Sequence, residues 1–147
     1  MKLKYLIWAG LFLFLGSCDK ESQAEKDEKL IRTYLADRGL AAEETSSGLF
    51  YVVTDLGTGK QPNSGSRVKV AYKGYFTDGK VFDESNGSTF YLNQVIRGWQ
   101  VGIPLFKEGG SGILLVPSAL AYGNSGSGGV PPNTILIFDI ELQQVLF

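Results

Sequence analysis

One loop holds several of the residues in this chain that could support chemistry. Residues 119–132 read ALAYGNSGSGGVPP. The loop contains one tyrosine, is rich in the flexible residues glycine and serine, and ends at Pro131 and Pro132. Two hydrophobic runs flank it, GILLVP (112–117) and TILIF (134–138), and their composition predicts buried strands. The hydroxyl of Tyr122 could donate a hydrogen bond. The two prolines fix φ and keep the preceding residue extended, which would stiffen the return into the second strand.

The composition excludes several kinds of site. The chain of 147 residues has no histidine and one cysteine. It therefore lacks an internal disulfide and the usual zinc ligand sets. Ser-His and Cys-His nucleophilic pairs are excluded for the same reason. The formal net charge is −1, so we expect no basic surface for nucleic acid.

The N-terminal segment has the pattern of a targeting sequence. It begins MKLKYLIWAGLFLFLGSC, with two lysines followed by an apolar run over 5–15. Eleven residues form about 16 Å of helix at 1.5 Å per residue. That is shorter than the roughly 30 Å hydrocarbon core of a bilayer and is typical of a signal-peptide core. We therefore predict a signal peptide over residues 1–17.

The only cysteine directly follows this segment. The tetrapeptide LGSC (15–18) resembles the bacterial lipobox, in which the signal is cleaved before the cysteine and the cysteine is acylated. The resemblance implies lipidation of Cys18 and attachment to a bacterial membrane of the cell envelope. We expect the outer membrane, with the leaflet left open. The alternative is an ordinary signal peptide with an incidental cysteine near its end.

Residues 18–47 are predicted to link this anchor to a globular domain. Residues 19–29, DKESQAEKDEK, are charged and indicate a solvated tether. Beyond them Leu30, Ile31, Tyr34 and Leu35 recur on one face of a helix that we place at about 25–38, ending at Gly39. This accessory helix could dock on the domain, act as a spacer or, alternatively, mediate dimerisation. Residues 42–47 are predicted to form a polar loop.

The remainder, 48–147, is predicted to be one domain dominated by sheet. Strand composition marks 49–57, 67–76, 81–85 and 112–117, with a DG turn at 77–80 and a further turn at 86–89. Gly98 and Pro104 restrict any helix within 90–106 to one or two turns. The last strand, 135–147, is apolar on both faces in its first half, as in a central strand covered on both sides. The fold class is therefore α+β, with four to six mostly antiparallel strands and one short helix.

Five segments, taken in order, resemble one family. They are VAYKGYF, GKVFDES, NQVIRGWQVGI, LLVPSALAYG and VPPNTILIFDIEL, and they cover about residues 48–145. Their order and spacing are similar to those of FKBP-type peptidyl-prolyl cis-trans isomerases. The resemblance implies about five antiparallel strands wrapped around one short helix, with the accessory helix outside. It also implies an apolar pocket for the proline ring of an X-Pro substrate, with no metal or other cofactor.

The resemblance assigns roles to individual positions. Tyr122 and the backbone N–H of Ile96 match the donors to substrate carbonyls, Trp99 matches the pocket floor, and Asp83 matches the carboxylate near the Tyr72 hydroxyl. The remaining substrate-binding positions are Tyr72, Phe82, Phe90, Val95, Val130 and Phe138. The expected partners are proline-containing polypeptides of the envelope and macrolides such as rapamycin. The loop 119–132 is expected to be a flap over the pocket.

Two departures from the family pattern bear on affinity. Ser88 stands where the family often has another aromatic residue, and the Gly-rich loop is one residue shorter than in some relatives. Both changes would reduce contact with residues flanking the substrate proline. The sequence therefore leaves two functions open, an isomerase that assists folding or a proline-peptide binding module or holdase with little turnover. A structural lipoprotein subunit is a third possibility.

Overall fold

The computed structural model describes residues 20–147, so the predicted signal peptide and Cys18 lie outside the described residues. Within them, six strands form one antiparallel sheet in the order β1-β2-β5-β6-β3-β4. The elements are α1 (Gln23–Asp37), β1 (Glu43–Glu44), β2 (Phe50–Asp55), β3 (Arg67–Tyr75), β4 (Val81–Tyr91), α2 (Arg97–Gly102), β5 (Ser111–Val116) and β6 (Leu136–Leu146). The α+β class and the short helix are confirmed. The strand beyond the expected five is β1, within the segment predicted to be a polar loop.

The sheet carries one helix on each face. On the α2 side lies the larger core, which we call core cluster 1, where Trp99 and Ile103 meet alternate residues of β3, β5 and β6. Its buried strand residues are Val68, Val70, Leu114, Val116, Leu136, Phe138, Ile140, Leu142 and Val145. On the other face Leu115 and Ile137 pack under α1. Strand β6 lies between β5 and β3 and supplies both cores, as its two apolar faces predicted.

The accessory helix begins two residues earlier than expected and docks on the domain. Ser22 caps its first turn, since its side chain accepts from the Glu25 N–H while the Glu25 carboxylate accepts from the Ser22 N–H. Ile31, Tyr34 and Leu35 are buried against Phe50, Leu115, Ile135 and Ile137, a group we call core cluster 2. The capping box begins the helix inside the charged segment, in which Asp27 is buried while residues 20–22, 24–26, 28 and 29 are exposed as the tether prediction expected.

Strand β4 is one continuous element. The sequence predicted a strand over 81–85 and a turn over 86–89, and the turn is wrong. Ser85 pairs with Tyr72 and Ser88 pairs with Val70, so the register shifts across Asn86 and Gly87 while the strand continues. A glycine inside a strand marks such a bulge. Beyond the bulge, the same strand continues to pair with β3 and includes Phe90, so this residue does not belong to a separate strand.

Two negative findings complete the fold. Among residues 20–147, no helix combines the length and apolar character needed to cross a bilayer. The same residues contain no group of three or more His, Cys, Asp or Glu side chains arranged to hold a metal ion.

Candidate active site

A cavity of about 330 Å³ opens on the side of the sheet that carries α2. The strands and the short helix all contribute to it. Its lining residues are Tyr72, Phe82, Asp83, Phe90, Gln94, Val95, Ile96, Trp99, Tyr122 and Phe138. Nine of these ten were assigned to the site from the sequence.

The aromatic rings form the apolar wall of this cavity. Trp99 is 4% exposed and meets Tyr72, Phe90 and Phe138 edge-to-face, with ring centroids 5.0, 5.4 and 5.4 Å apart. Phe82 meets Phe138 in the same manner at 5.6 Å. Edge-to-face pairs of this kind are favourable beyond their burial. The wall is thus a preformed apolar surface that needs little rearrangement to accept an apolar ring.

The position of Trp99 depends on the close approach of α2 to the sheet. A Cβ at Gly98 would overlap Cγ1 of Val116 in β5, so only glycine allows the helix to lie this near. The indole N–H of Trp99 has no hydrogen-bond partner among the described residues. Packing against the three neighbouring rings, and no side-chain hydrogen bond, therefore holds the Trp99 indole in place.

The polar groups at the cavity are held in different ways. The Tyr72 hydroxyl donates to Oδ2 of Asp83 at 2.8 Å, as the family resemblance implied. Burial, and then this hydrogen bond to Asp83, raises the pKa of Tyr72 to about 12. In contrast, the Tyr122 hydroxyl has no hydrogen-bond partner within residues 20–147, and the residue is 39% exposed. Tyr122 thus keeps a free donor at the cavity.

A second donor arises from the start of α2. Ile96 precedes the first helical residue, and its carbonyl accepts from the N–H groups of Trp99 and Gln100 at 3.0 and 3.2 Å. The N–H groups at the start of a helix have no partner inside that helix. The side chain of Gln100 donates to the Val95 carbonyl at 2.8 Å and fixes the turn before the helix. The Ile96 N–H group has no backbone acceptor within residues 20–147, so it is available as a donor at a residue that lines the cavity.

Two predicted features of the loop differ in the structure. Val130 is not among the residues that line the cavity; it forms a bridge with Ser127 and is buried in core cluster 1. Of loop 119–132, only Tyr122 lines the cavity, so the rest of the predicted flap does not cover it. The loop is also closed at its base, since the Asn133 N–H donates to the Gly123 carbonyl at 2.8 Å.

Gln94 lines the cavity and was not predicted. It ends a 3₁₀ turn, Leu92–Gln94, that follows β4 directly. Its only signal in the sequence is its place beside Val95 in the segment NQVI. The sequence does not show that this turn brings an amide to the cavity.

Comparison with known proteins assigns this geometry to a family. The family model described as FKBP-type peptidyl-prolyl cis-trans isomerase matches residues 58–143. A probable FKBP-type isomerase, FkpA, of Neisseria meningitidis is 42% identical over 132 residues, covering 86% of this chain and 48% of the relative. FkpA of Escherichia coli K12 is 37% identical over 131 residues, with the same two shares. The chain thus spans about half the length of the curated relatives it matches.

Solved structures agree with the sequence matches. The crystal structure of FkpA from Escherichia coli has a TM-score of 0.76 at 38% identity, covering 82% of this chain and 58% of that one. A peptidyl-prolyl cis-trans isomerase from Pseudomonas syringae has a TM-score of 0.73 at 35% identity and covers 84% of this chain and 96% of that one. These shares are larger than residues 48–147 alone could supply, so the similarity extends into the segment that precedes residue 48.

Proposed function

The chain belongs to the FKBP-type peptidyl-prolyl cis-trans isomerase family, and we propose that it catalyses cis-trans isomerisation of X-Pro bonds and so assists protein folding. One observation carries the proposal. The cavity combines the aromatic wall around Trp99 with the hydroxyl of Tyr122. This hydroxyl has no hydrogen-bond partner among the described residues. An apolar wall suits a proline ring, and a free donor suits the carbonyl beside it.

The reaction requires neither a nucleophile nor a metal. Rotation about the X-Pro bond breaks amide resonance, with a barrier of about 18–20 kcal/mol. Uncatalysed exchange takes tens to hundreds of seconds, or ~10⁻² s⁻¹. A turnover of 1–10³ s⁻¹ would exceed this by roughly 10²- to 10⁵-fold, which corresponds to about 3–7 kcal/mol. The cavity must supply only this modest difference.

The described residues could lower the barrier in three ways. The twisted amide is less polar than the planar one, so the apolar wall around Trp99 favours it relative to water. The hydroxyl of Tyr122 donates to a substrate carbonyl in the twisted geometry, and the Ile96 N–H fixes the direction of the substrate backbone. Only interactions stronger in the transition state than in the ground state accelerate the reaction.

The pair Tyr72 and Asp83 has a supporting role in this mechanism. Burial and the hydrogen bond to Asp83 raise the pKa of Tyr72 to about 12, so its hydroxyl stays a donor to Asp83 even at moderately alkaline pH. Its ring lies 5.0 Å from that of Trp99, so the hydrogen bond to Asp83 holds one side of the wall in place. We assign Asp83 to orienting Tyr72 at the edge of the site.

A protease-coupled assay with a proline peptide tests the proposed activity. The chain should accelerate the slow cis-to-trans phase in proportion to its concentration, and Trp99→Leu should reduce this acceleration. Rapamycin, the proposed competing ligand, should inhibit if it occupies the same cavity. Peptide binding without acceleration would instead identify a binding module or holdase, and absence of both would refute the proposed site.

We further propose that the protein acts in the bacterial cell envelope, held at a membrane by lipid on Cys18. Support comes from the lipobox-like LGSC and from the position of the single cysteine. Buried lipid chains contribute about 0.8 kcal/mol per CH₂ group, and two chains give stable attachment. Intact mass and detergent partitioning test this. The wild-type protein should carry lipid mass that Cys18→Ser lacks, and a wild-type protein without lipid would contradict the proposal.

A further inference from the structure

A buried carboxylate on α1 contacts the segment that leads to Tyr122. Asp27 is 1% exposed, and its Oδ2 accepts from the N–H of Ser118 at 2.7 Å and from the Ser118 hydroxyl at 2.5 Å. Its other oxygen, Oδ1, accepts from Nε2 of Gln23 at 2.6 Å. Ser118 is also buried, at 2% exposure. These bonds connect two segments that lie 91 residues apart in the chain.

The carboxylate supplies what the local sequence around Ser118 lacks. Ser118 begins a 3₁₀ turn, Ser118–Leu120, and the residue before it is Pro117, which makes no side-chain capping hydrogen bond. The first N–H groups of such a turn need acceptors from elsewhere. Asp27 accepts from the first of them and from the hydroxyl of the same residue. Asp27 thereby provides the acceptor for both donors of a residue that is itself buried.

Ser118 in turn fixes the backbone on both sides of Tyr122. Its carbonyl accepts from the N–H of Ala121 at 3.0 Å and from that of Gly123 at 2.8 Å. Tyr122 lies between these two donors. The hydrogen-bonded path therefore runs from Asp27, through one buried residue, to the backbone that carries the free hydroxyl.

We propose that Asp27 is a positioning residue for the active site and that α1, which lies outside the predicted isomerase domain, takes part in catalysis in this way. The inference rests on the proposed isomerase function, because it concerns the placement of the Tyr122 hydroxyl. It does not follow from docking of α1 in general. Core cluster 2 holds the helix to the sheet through apolar contacts, whereas Asp27 alone on α1 hydrogen bonds to the segment before Tyr122.

The full chain allows a test with matched variants. Asp27→Ala removes the acceptor, Asp27→Asn keeps an acceptor oxygen without the charge, and Leu35→Ala weakens helix docking two turns away. Each is measured alone and together with Tyr122→Phe, by kcat and KM separately in the protease-coupled assay. Circular dichroism and chemical denaturation give the folded fraction, so that rates refer to folded molecules.

Asp27→Ala should lower kcat/KM per folded molecule by up to the ~2- to 13-fold expected for loss of the Tyr122 hydrogen bond, mainly through kcat. Asp27→Asn should recover most of this loss, and Leu35→Ala should change kcat/KM less than about 2-fold even though it removes buried packing. In the Tyr122→Phe background, Asp27→Ala should cause no further loss, because the hydroxyl it positions is already gone.

Three results would overturn the inference. They are unchanged kcat/KM in folded Asp27→Ala, an equal loss in Leu35→Ala, or an undiminished loss in the Tyr122→Phe background. If Asp27→Ala does not fold, Ser118→Ala takes its place, because this change removes only the hydroxyl donor. It is measured alone and together with Tyr122→Phe, and the same criteria apply. An inactive wild-type chain would refute the proposed function itself, whereas an active wild type with an equally active Asp27→Ala would refute only the role of Asp27.

Discussion

Removing the Tyr122 hydroxyl is the substitution that best separates a catalytic tyrosine from a core tyrosine. Tyr122→Phe keeps the ring and deletes one oxygen. In the structure this hydroxyl has no partner among residues 20–147, and the side chain lines the cavity at 39% exposure. No intramolecular hydrogen bond is lost, so the free energy of unfolding should change by less than about 0.5 kcal/mol.

The expected effect on catalysis follows from the bond to substrate. A hydrogen bond contributes about 0.5–1.5 kcal/mol net, so its loss should lower kcat/KM by roughly 2- to 13-fold. The protease-coupled assay gives kcat/KM, and urea denaturation gives the free energy of unfolding. Both measurements are made on the same preparation.

Tyr75→Phe is the matched control. The Tyr75 hydroxyl donates to Asp139 at 2.9 Å, and the residue packs against core cluster 2, on the sheet face opposite the α2 side. Its loss should therefore cost about 1.5 kcal/mol of stability and leave kcat/KM unchanged. If Tyr122→Phe instead costs stability while its activity per folded molecule equals that of the wild type, Tyr122 is a structural residue and the proposed mechanism is wrong.

Three further predictions concern the support of the site. Gly98→Ala should cost about 1–3 kcal/mol of stability and weaken peptide binding, because the added Cβ would overlap Val116 and push α2 from the sheet. Urea denaturation measures the stability and peptide titration the affinity, and wild-type values of both would contradict the close packing. Because the pKa of Tyr72 is raised to about 12, its contribution to stability should be fully present below the unfolded pKa of about 10 and lost as pH rises through about 12. This pH-dependent loss should be absent from the alkaline denaturation of Tyr72→Phe, and identical curves for the variant and the wild type would refute the prediction. A chain lacking residues 1–41 should fold and isomerise, but with a lower free energy of unfolding and a lower turnover. Stability should fall because each buried apolar side chain on α1 contributes about 1.5–3 kcal/mol of burial. If chemical denaturation gives the wild-type free energy of unfolding, the helix is only an appendage.

The sequence predicts those parts of the fold that local patterns determine. The two apolar faces of β6 identify a central strand, and the structure places one core on each side of it. The prediction of a helix of one or two turns is confirmed, although Gly98 lies inside α2 and only Pro104 follows its end. The ordered motifs bring eight aromatic, aliphatic and carboxylate positions to one cavity, and Phe90, between two of the motifs, is the ninth predicted position there.

The errors arise where distant contacts decide the outcome. The sequence of residues 19–29 indicates a solvated segment, and no local feature shows that Asp27 within it is buried and accepts two hydrogen bonds from Ser118. The sequence NGST indicates a turn, yet pairing with β3 keeps it within β4 as a bulge. The resemblance gives Val130 as a substrate-binding position, whereas in the structure it is buried in core cluster 1 and is absent from the cavity lining. Composition describes a segment, and it does not reveal the partner that a segment meets after folding.

Exchange NMR on a proline peptide tests the central claim most directly, because it observes bond rotation without a coupled protease. With a catalytic amount of the chain, exchange cross-peaks between the cis and trans forms should appear at mixing times of about one second or less, whereas uncatalysed exchange takes tens to hundreds of seconds. Folded Trp99→Leu should show much weaker cross-peaks. If the wild-type chain shifts the peptide resonances on binding but produces no exchange cross-peaks, the cavity binds proline without catalysing its isomerisation, and the proposed isomerase activity is contradicted.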